Sequence, residues 1–346
     1  MRPEELDDVF AGIALRKRAD ALLLELRGLK RRPHQDSIHD TRVQSRRMRA
    51  SLEAFQDLFP PLAWRTVYDQ VRSITRNLGK ARETEVSLSL LDHLSTSGDL
   101  PEKICAEHLE ERLRRRLSKC HKRLKKCLGR IDLRSLRSSL EHLLSELGKR
   151  DESDPATGIV VSIRSGRIPK AHSRAGTGTR QPFLFPLRGE TVARTRRVLA
   201  ELAAPLLAFR PRADFRRSSD TRLHRLRISA KRLRYAMEIF DEAFPGGLKE
   251  QIELARLLQE AGGHHQDWAV LRWRLEKDIH RLKRQGASQL ALQADRILAE
   301  AENRKTVSRK EILPALIRLQ ASLRELLQNP PYAGQTDSDR EANVRS

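Results

Sequence analysis

Two segments, 185 positions apart, leave this chain few ways to fold. Residues 39–60 read HDTRVQSRRMRASLEAFQDLFP, and residues 224–245 read HRLRISAKRLRYAMEIFDEAFP. His39 aligns with His224, Arg42 with Arg227, Arg47 with Arg232 and Arg49 with Arg234. Glu53, Phe55, Phe59 and Pro60 recur as Glu238, Phe240, Phe244 and Pro245, and Val43/Ile228, Arg46/Lys231 and Met48/Leu233 are close substitutions. Wound as an α-helix, His39, Arg42, Arg46, Arg49 and Glu53 fall within about 80° of one another, with Met48, Leu52, Phe55 and Phe59 opposite. The second copy sorts alike: His224, Arg227, Lys231, Arg234 and Glu238 against Leu233, Met237, Phe240 and Phe244, with Tyr235 at the edge of the basic face. A helix apolar along one side has to bury that side against other helices. Two copies therefore imply an all-α chain built as two homologous helical bundles.

The remaining sequence agrees. Leucine, alanine, arginine, lysine and glutamate dominate, and β-branched runs are scarce. Helices are expected at 3–30, 36–58, 62–79, 82–96, 101–130 and 132–148, then at 187–209, 219–243, 248–261, 265–285, 288–304 and 309–328. Between 101 and 130, Leu113, Leu117, Cys120, Leu124, Cys127 and Ile131 continue an apolar stripe of the kind bundles pack on. Glycine, proline, serine and scattered bases make 151–182 a flexible basic linker, with at most a short strand at 159–163. The expected organisation is a first bundle repeat over 1–150, the linker, a second repeat over 183–328 and a disordered tail over 329–346.

A formal charge of +22 argues against an enzyme of small neutral metabolites and for an anionic partner. The N-terminus lacks an uninterrupted apolar core with a cleavage site, and no apolar run approaches the length of a membrane span. A cytoplasmic protein is expected. Cys105, Cys120 and Cys127 fit small core residues in a reducing compartment better than a disulfide or a metal site.

Charge on the outer side of an amphipathic helix is ordinarily just solvated. Here the stripe is arginine and histidine in register, with carboxylates four residues away nearly absent, so like charges stack unless an anion relieves them. Arginine offers planar bidentate donors to phosphate oxygens at any physiological pH, and histidine adds a charge as pH falls. Glu53 and Glu238 would repel phosphate and are assigned to orienting neighbouring arginines. The pattern occurs twice, which two packed halves could place around one shared groove.

These residues resemble the CHAD family, the conserved-histidine α-helical domain. Its hallmark is a His-x-x-Arg-(Val/Ile)-x-x-(Arg/Lys)-Arg-x-Arg helix in each of two helical halves. His39, Arg42, Val43, Arg46, Arg47 and Arg49 match it, as do His224, Arg227, Ile228, Lys231, Arg232 and Arg234. A downstream Leu-Gly-x-x-Arg-Asp-x-Asp-Val element is echoed by LGKARETEV at 78–86 and GGHHQDWAV at 262–270, where Glu83 and Glu85 replace the aspartates. The resemblance implies two four-helix bundles with extra helices, related by a pseudo-two-fold axis. It also implies that inorganic polyphosphate is bound in a basic central channel, in some cases at polyphosphate granules. The expected site is His39, Arg42, Arg46, Arg49, His224, Arg227, Lys231 and Arg234, with Arg47, Arg232, Tyr235, Arg72, Arg76, Lys80 and Arg82 at its margin. Backbone amides at a helix junction near Lys80 and Arg82 would add anion contacts.

Other chemistries find less support. His39-Asp40 could be a metal pair, but Arg225 stands at the second copy's aspartate position, and an arginine face repels a divalent cation. The adjacent His264 and His265 diverge on a helix and make a poor metal site. No Gly-rich phosphate loop, Walker lysine or nucleophile constellation is present, so a binding module without catalysis, cofactor or metal is expected. Sequence-independent nucleic-acid binding through charge is the main alternative. Only 15 aromatic residues are available for base stacking, and several point into the expected core. The densest basic run, 112–130, holds ten Lys and Arg and no acid, and is expected to extend the binding surface. Membrane attachment is not expected, because the basic helices spend their apolar sides on the core.

Overall fold

A computed structural model of the chain describes residues 3–96, 103–147, 189–241, 244 and 247–328. The expected linker at 151–182, its strand at 159–163 and the tail at 329–346 lie outside the described residues. All regular structure among the described residues is helical. The elements are α1 (Pro3–Arg31), α2 (Gln35–Ala54), a 3-10 turn (Gln56–Leu58), α3 (Pro61–Thr96), α4 (Lys103–Arg130) and α5 (Leu133–Ser145). They continue with α6 (Gly189–Leu207), α7 (Pro211–Asp214), α8 (Asp220–Phe240), α9 (Lys249–Arg284) and α10 (Ser288–Gln328).

Three expected breaks do not occur. α3, α9 and α10 each run through a point where two shorter helices were read. Glycine or clustered charge at 79–82, 262–265 and 304–309 lowers local helix propensity, by about 1 kcal/mol for a glycine. Burial outweighs it: Leu78 and Ala81 flank Gly79, and Ala261 and His265 flank the pair Gly262-Gly263, all in the interior. The proposed junction at Lys80 and Arg82 is therefore absent, and the backbone amides there lie inside a continuous helix.

The described residues form two compact units. The first contains α1–α5 and residues 263–309 of α9 and α10. In it α1 buries Leu15, Leu22, Leu26 and Leu29 completely, and Phe10 meets Phe55, the residue that caps the end of α2, edge to face at 6.0 Å. Trp64 of α3 donates its indole N–H to the Leu52 carbonyl at 2.8 Å, which fixes α3 against α2. A second cluster joins Leu91 and Leu94 of α3 and Leu109 and Leu113 of α4 to Leu271, Leu275, Ile279, Ala294 and Ile297. The buried Arg274 stitches α9 to α3, donating to the Glu83 carbonyl at 3.1 Å and to Ser87 Oγ at 2.7 Å. Cys105 is buried in this cluster, whereas Cys120 and Cys127 are half-buried, and all three are free thiols.

The second unit contains α6–α8, the beginning of α9 up to Gly262 and the end of α10 from Lys310. α8 buries Leu223, Leu226, Ala230, Leu233, Met237 and Phe240. The buried Gln320 of α10 donates to the carbonyls of Leu206 and Phe209, both at 2.7 Å, satisfying acceptors left open where α6 ends.

Candidate functional site

α2 begins on a capping box: His34 Nδ1 accepts the Ser37 N–H at 3.3 Å, and Ser37 Oγ accepts the His34 N–H at 3.0 Å. α8 begins on Ser219, whose hydroxyl accepts the Arg222 N–H at 3.3 Å. Each capping residue lies five positions before its motif histidine. In α2 the apolar side is buried at Met48, Leu52 and Phe55, while Arg42, Arg46 and Arg49 are half-buried and His39 is exposed. In α8, Leu233, Met237 and Phe240 are buried, and His224, Arg227, Lys231 and Arg234 are half-buried. Both cationic stripes thus lie between core and solvent, where a charge is screened less than in open water.

Each stripe ends on a built cluster. Arg49 donates to the Tyr68 hydroxyl at 2.8 Å and to Glu53 Oε1 at 3.4 Å, and the Tyr68 hydroxyl donates to the same carboxylate oxygen at 2.6 Å. The guanidinium also stands over the Tyr68 ring, 5.1 Å from its centre. Burial, then the bond to Glu53, pushes the Tyr68 phenol up, so it stays a donor. In α8, Arg234 pairs with Glu238 at 3.2 Å and lies over the Tyr235 ring at 4.7 Å, with Lys231 over the same ring at 5.9 Å. Glu53 and Glu238, the carboxylates assigned from the sequence to orienting arginines, stand four residues beyond Arg49 and Arg234 and hold them at the end of each stripe. Tyr235 is 5 % exposed and serves as a platform beneath two cations rather than an edge residue. Tyr68 was not anticipated. Its signal was Trp64 four residues earlier, on the same side of α3, and the two rings stack at 4.6 Å.

Of the marginal residues, Arg47 is half-buried, and Arg72, Arg76, Lys80 and Arg232 are exposed. Arg82 pairs with the buried Glu85 at 3.7 Å, and Glu85 also meets His121 of α4 at 3.3 Å. The downstream element thus ties α3 to α4. His265 is buried and donates Nδ1–H to the Lys305 carbonyl at 3.2 Å, a structural role, whereas His264 is exposed. No group of three His, Cys, Asp or Glu side chains that could hold a metal occurs among the described residues.

The His39 imidazole is held below its ordinary value of 6.5, first by desolvation and then by Arg82; Asp40 opposes this, and Arg42 and Arg46 add to the depression. A depressed histidine resists charging, and an anion alongside it reverses that. Polyanion binding should therefore take up a proton at His39, and affinity should rise as pH falls through the region below 6.5. Titrations across that range should show the rise, and His39→Gln should remove its share of it. Without ligand the sign is opposite: protonating His39 costs the folded state, so stability declines over the same window.

Glycine accompanies the second motif cation in both copies. A Cβ built on Gly79 would stand 4.0 Å from Arg42 Nη2, in ordinary contact, but on Gly262 it would stand 3.0 Å from Arg227 Cβ and 3.3 Å from its Cγ. α9 thus needs glycine where the Arg227 stem crosses it. Gly262→Ala should lower stability by about 1–3 kcal/mol despite alanine's better helix propensity, while Gly79→Ala should be neutral or stabilising by up to about 1 kcal/mol. Thermal unfolding of the two variants decides it.

A histidine–arginine helix in each of two units whose described regular structure is all helical defines a CHAD-type α-helical domain. The model of the CHAD domain matches residues 13–276, and the chain belongs to that family. The crystal structure of the CHAD domain from the plant Ricinus communis superposes with a TM-score of 0.57 at 18 % identity, over 92 % of this chain and 91 % of that one. PptA from Streptomyces chartreusis gives 0.55 at 16 % identity, over 92 % of this chain and 99 % of that one. At these identities the likeness is one of fold. No curated protein matches the sequence.

Proposed function

We propose that this chain binds inorganic polyphosphate, with the cationic faces of α2 and α8 each holding a run of phosphates. The carrying observation is that the two faces repeat the same order of cations, with three half-buried cations after the histidine on each. His39, Arg42, Arg46 and Arg49 lie on one, and His224, Arg227, Lys231 and Arg234 on the other, with Arg49 and Arg234 each braced by a glutamate and a tyrosine ring. The family resemblance of both motifs supports the same ligand. A linear phosphate chain needs closely spaced bidentate donors and no base-stacking platform, and the tyrosines here lie beneath cations instead of facing outward. Among the described residues no helix is long and apolar enough to cross a membrane.

In this reading the protein is a binding module that performs no chemistry on its ligand, and polyphosphate granules recruit it through the same faces. The decisive experiment is a competition titration at near-physiological salt. Labelled long-chain polyphosphate is displaced by single-stranded DNA, duplex DNA or short phosphates at equal phosphate concentration. Poor competition by DNA is expected, and equal competition would make the faces a general polyanion surface. Phosphate release on prolonged incubation would overturn the reading without catalysis.

A further inference from the structure

The outer side of α4 is a basic face on a helix that carries neither motif. Its acids all precede residue 112, and the cations nearest them are neutralised: Arg112 pairs with Asp278 at 2.8 Å, Arg114 with Glu110 at 3.0 Å and Arg115 with Glu111 at 2.8 Å. Beyond them, Lys119, Lys122, Arg123, Lys126 and Arg130 are all exposed, and none pairs with a carboxylate among the described residues. Helical geometry puts these five in an arc of about 100°. Leu113, Leu124 and Leu128 turn the other way and are buried. The exposed Arg31 and Arg32 extend the charge at the C-terminal end, because Lys30 of α1 donates to the Ile131 carbonyl at 2.7 Å.

We propose that this outer face of α4 is a separate binding surface for the phosphate backbone of duplex nucleic acid. Unrelieved, the five charges repel one another; a polyanion laid along them converts that repulsion into attraction and releases counterions. The face runs about 16 Å from Lys119 to Arg130, and its side chains fan across about 12 Å, close to the width of the B-DNA major groove. Cations at both edges of such a fan reach both phosphate walls. A single phosphate chain is narrower than the fan, and this convex surface offers no groove to seat one. An anionic bilayer fits less well, because a membrane-surface helix inserts its apolar side and α4 spends that side on the core. Point charges on lysine and arginine grip backbone without reading bases, so binding is independent of sequence.

The test replaces Lys119, Lys122, Arg123, Lys126 and Arg130 with glutamine, a good helix former, and follows binding of a random-sequence DNA duplex with increasing salt. The slope of log affinity against log salt should become shallower by about 4, and duplex affinity at about 100 mM salt should fall at least 100-fold. Polyphosphate affinity should stay within about twofold of wild type, because the motif faces are intact. The pair Lys122→Glu and Lys126→Glu gives a second reading should the fivefold variant lose helix by circular dichroism. An unchanged duplex slope overturns the proposal. An equal loss of polyphosphate binding also overturns it and makes α4 part of the polyphosphate surface. A loss confined to phosphatidylserine vesicles would overturn it in favour of a membrane. The proposal stands apart from the polyphosphate reading, since alanine at the motif cations should leave the α4-dependent part of the salt slope in place.

Discussion

Replacing Arg42, Arg46, Arg227 and Lys231 together with alanine is expected to abolish tight polyphosphate binding and leave helical content unchanged. All four side chains are half-buried on the outer parts of α2 and α8, and alanine is the best helix former, so both helices should persist without them. Each would contribute about 1.5–3 kcal/mol as a charge-assisted contact, so their joint loss should weaken binding at least a thousandfold. Calorimetry with long-chain polyphosphate, beside circular dichroism of the same sample, measures both quantities. Retained affinity in a folded variant would place the binding surface elsewhere.

The converse experiment touches only the apolar sides of the same helices. Phe55→Ala and Phe240→Ala should each cost about 3–5 kcal/mol of stability, because both rings are fully buried and truncation leaves a cavity. Phe55 also loses its edge-to-face partner Phe10. Denaturant unfolding should show both losses, while polyphosphate affinity at low temperature, where the variants remain folded, should change little. A large loss of affinity with small loss of stability would mean that the phenylalanines shape the site directly.

Much of the fold was legible because amphipathic periodicity is local. The opposition of Met48, Leu52 and Phe55 to Arg42, Arg46 and Arg49 follows from turn geometry alone, and the structure buries the first set while leaving the second half-exposed. Helix continuity was less legible. Gly79 and the pair Gly262-Gly263 read as interruptions, since propensity is weighed residue by residue, whereas their burial between packed helices is a non-local effect. Gly262 in particular marks the close crossing of the Arg227 stem rather than a helix end.

The chemical side divides in the same way. The sequence by itself determined that the chain is helical, strongly basic and built around a twice-occurring histidine–arginine stripe, because residue type and spacing along one helix suffice for that. Only the tertiary structure decided that Tyr68 of α3 braces Arg49, that Tyr235 is buried beneath Arg234, and that Arg82 bears on His39. It also decided that residues 263–309 belong with α1–α5. The reason is physical: each of these depends on distances between segments remote in the chain, and those distances are set by how whole helices bury their apolar sides, which no local pattern encodes.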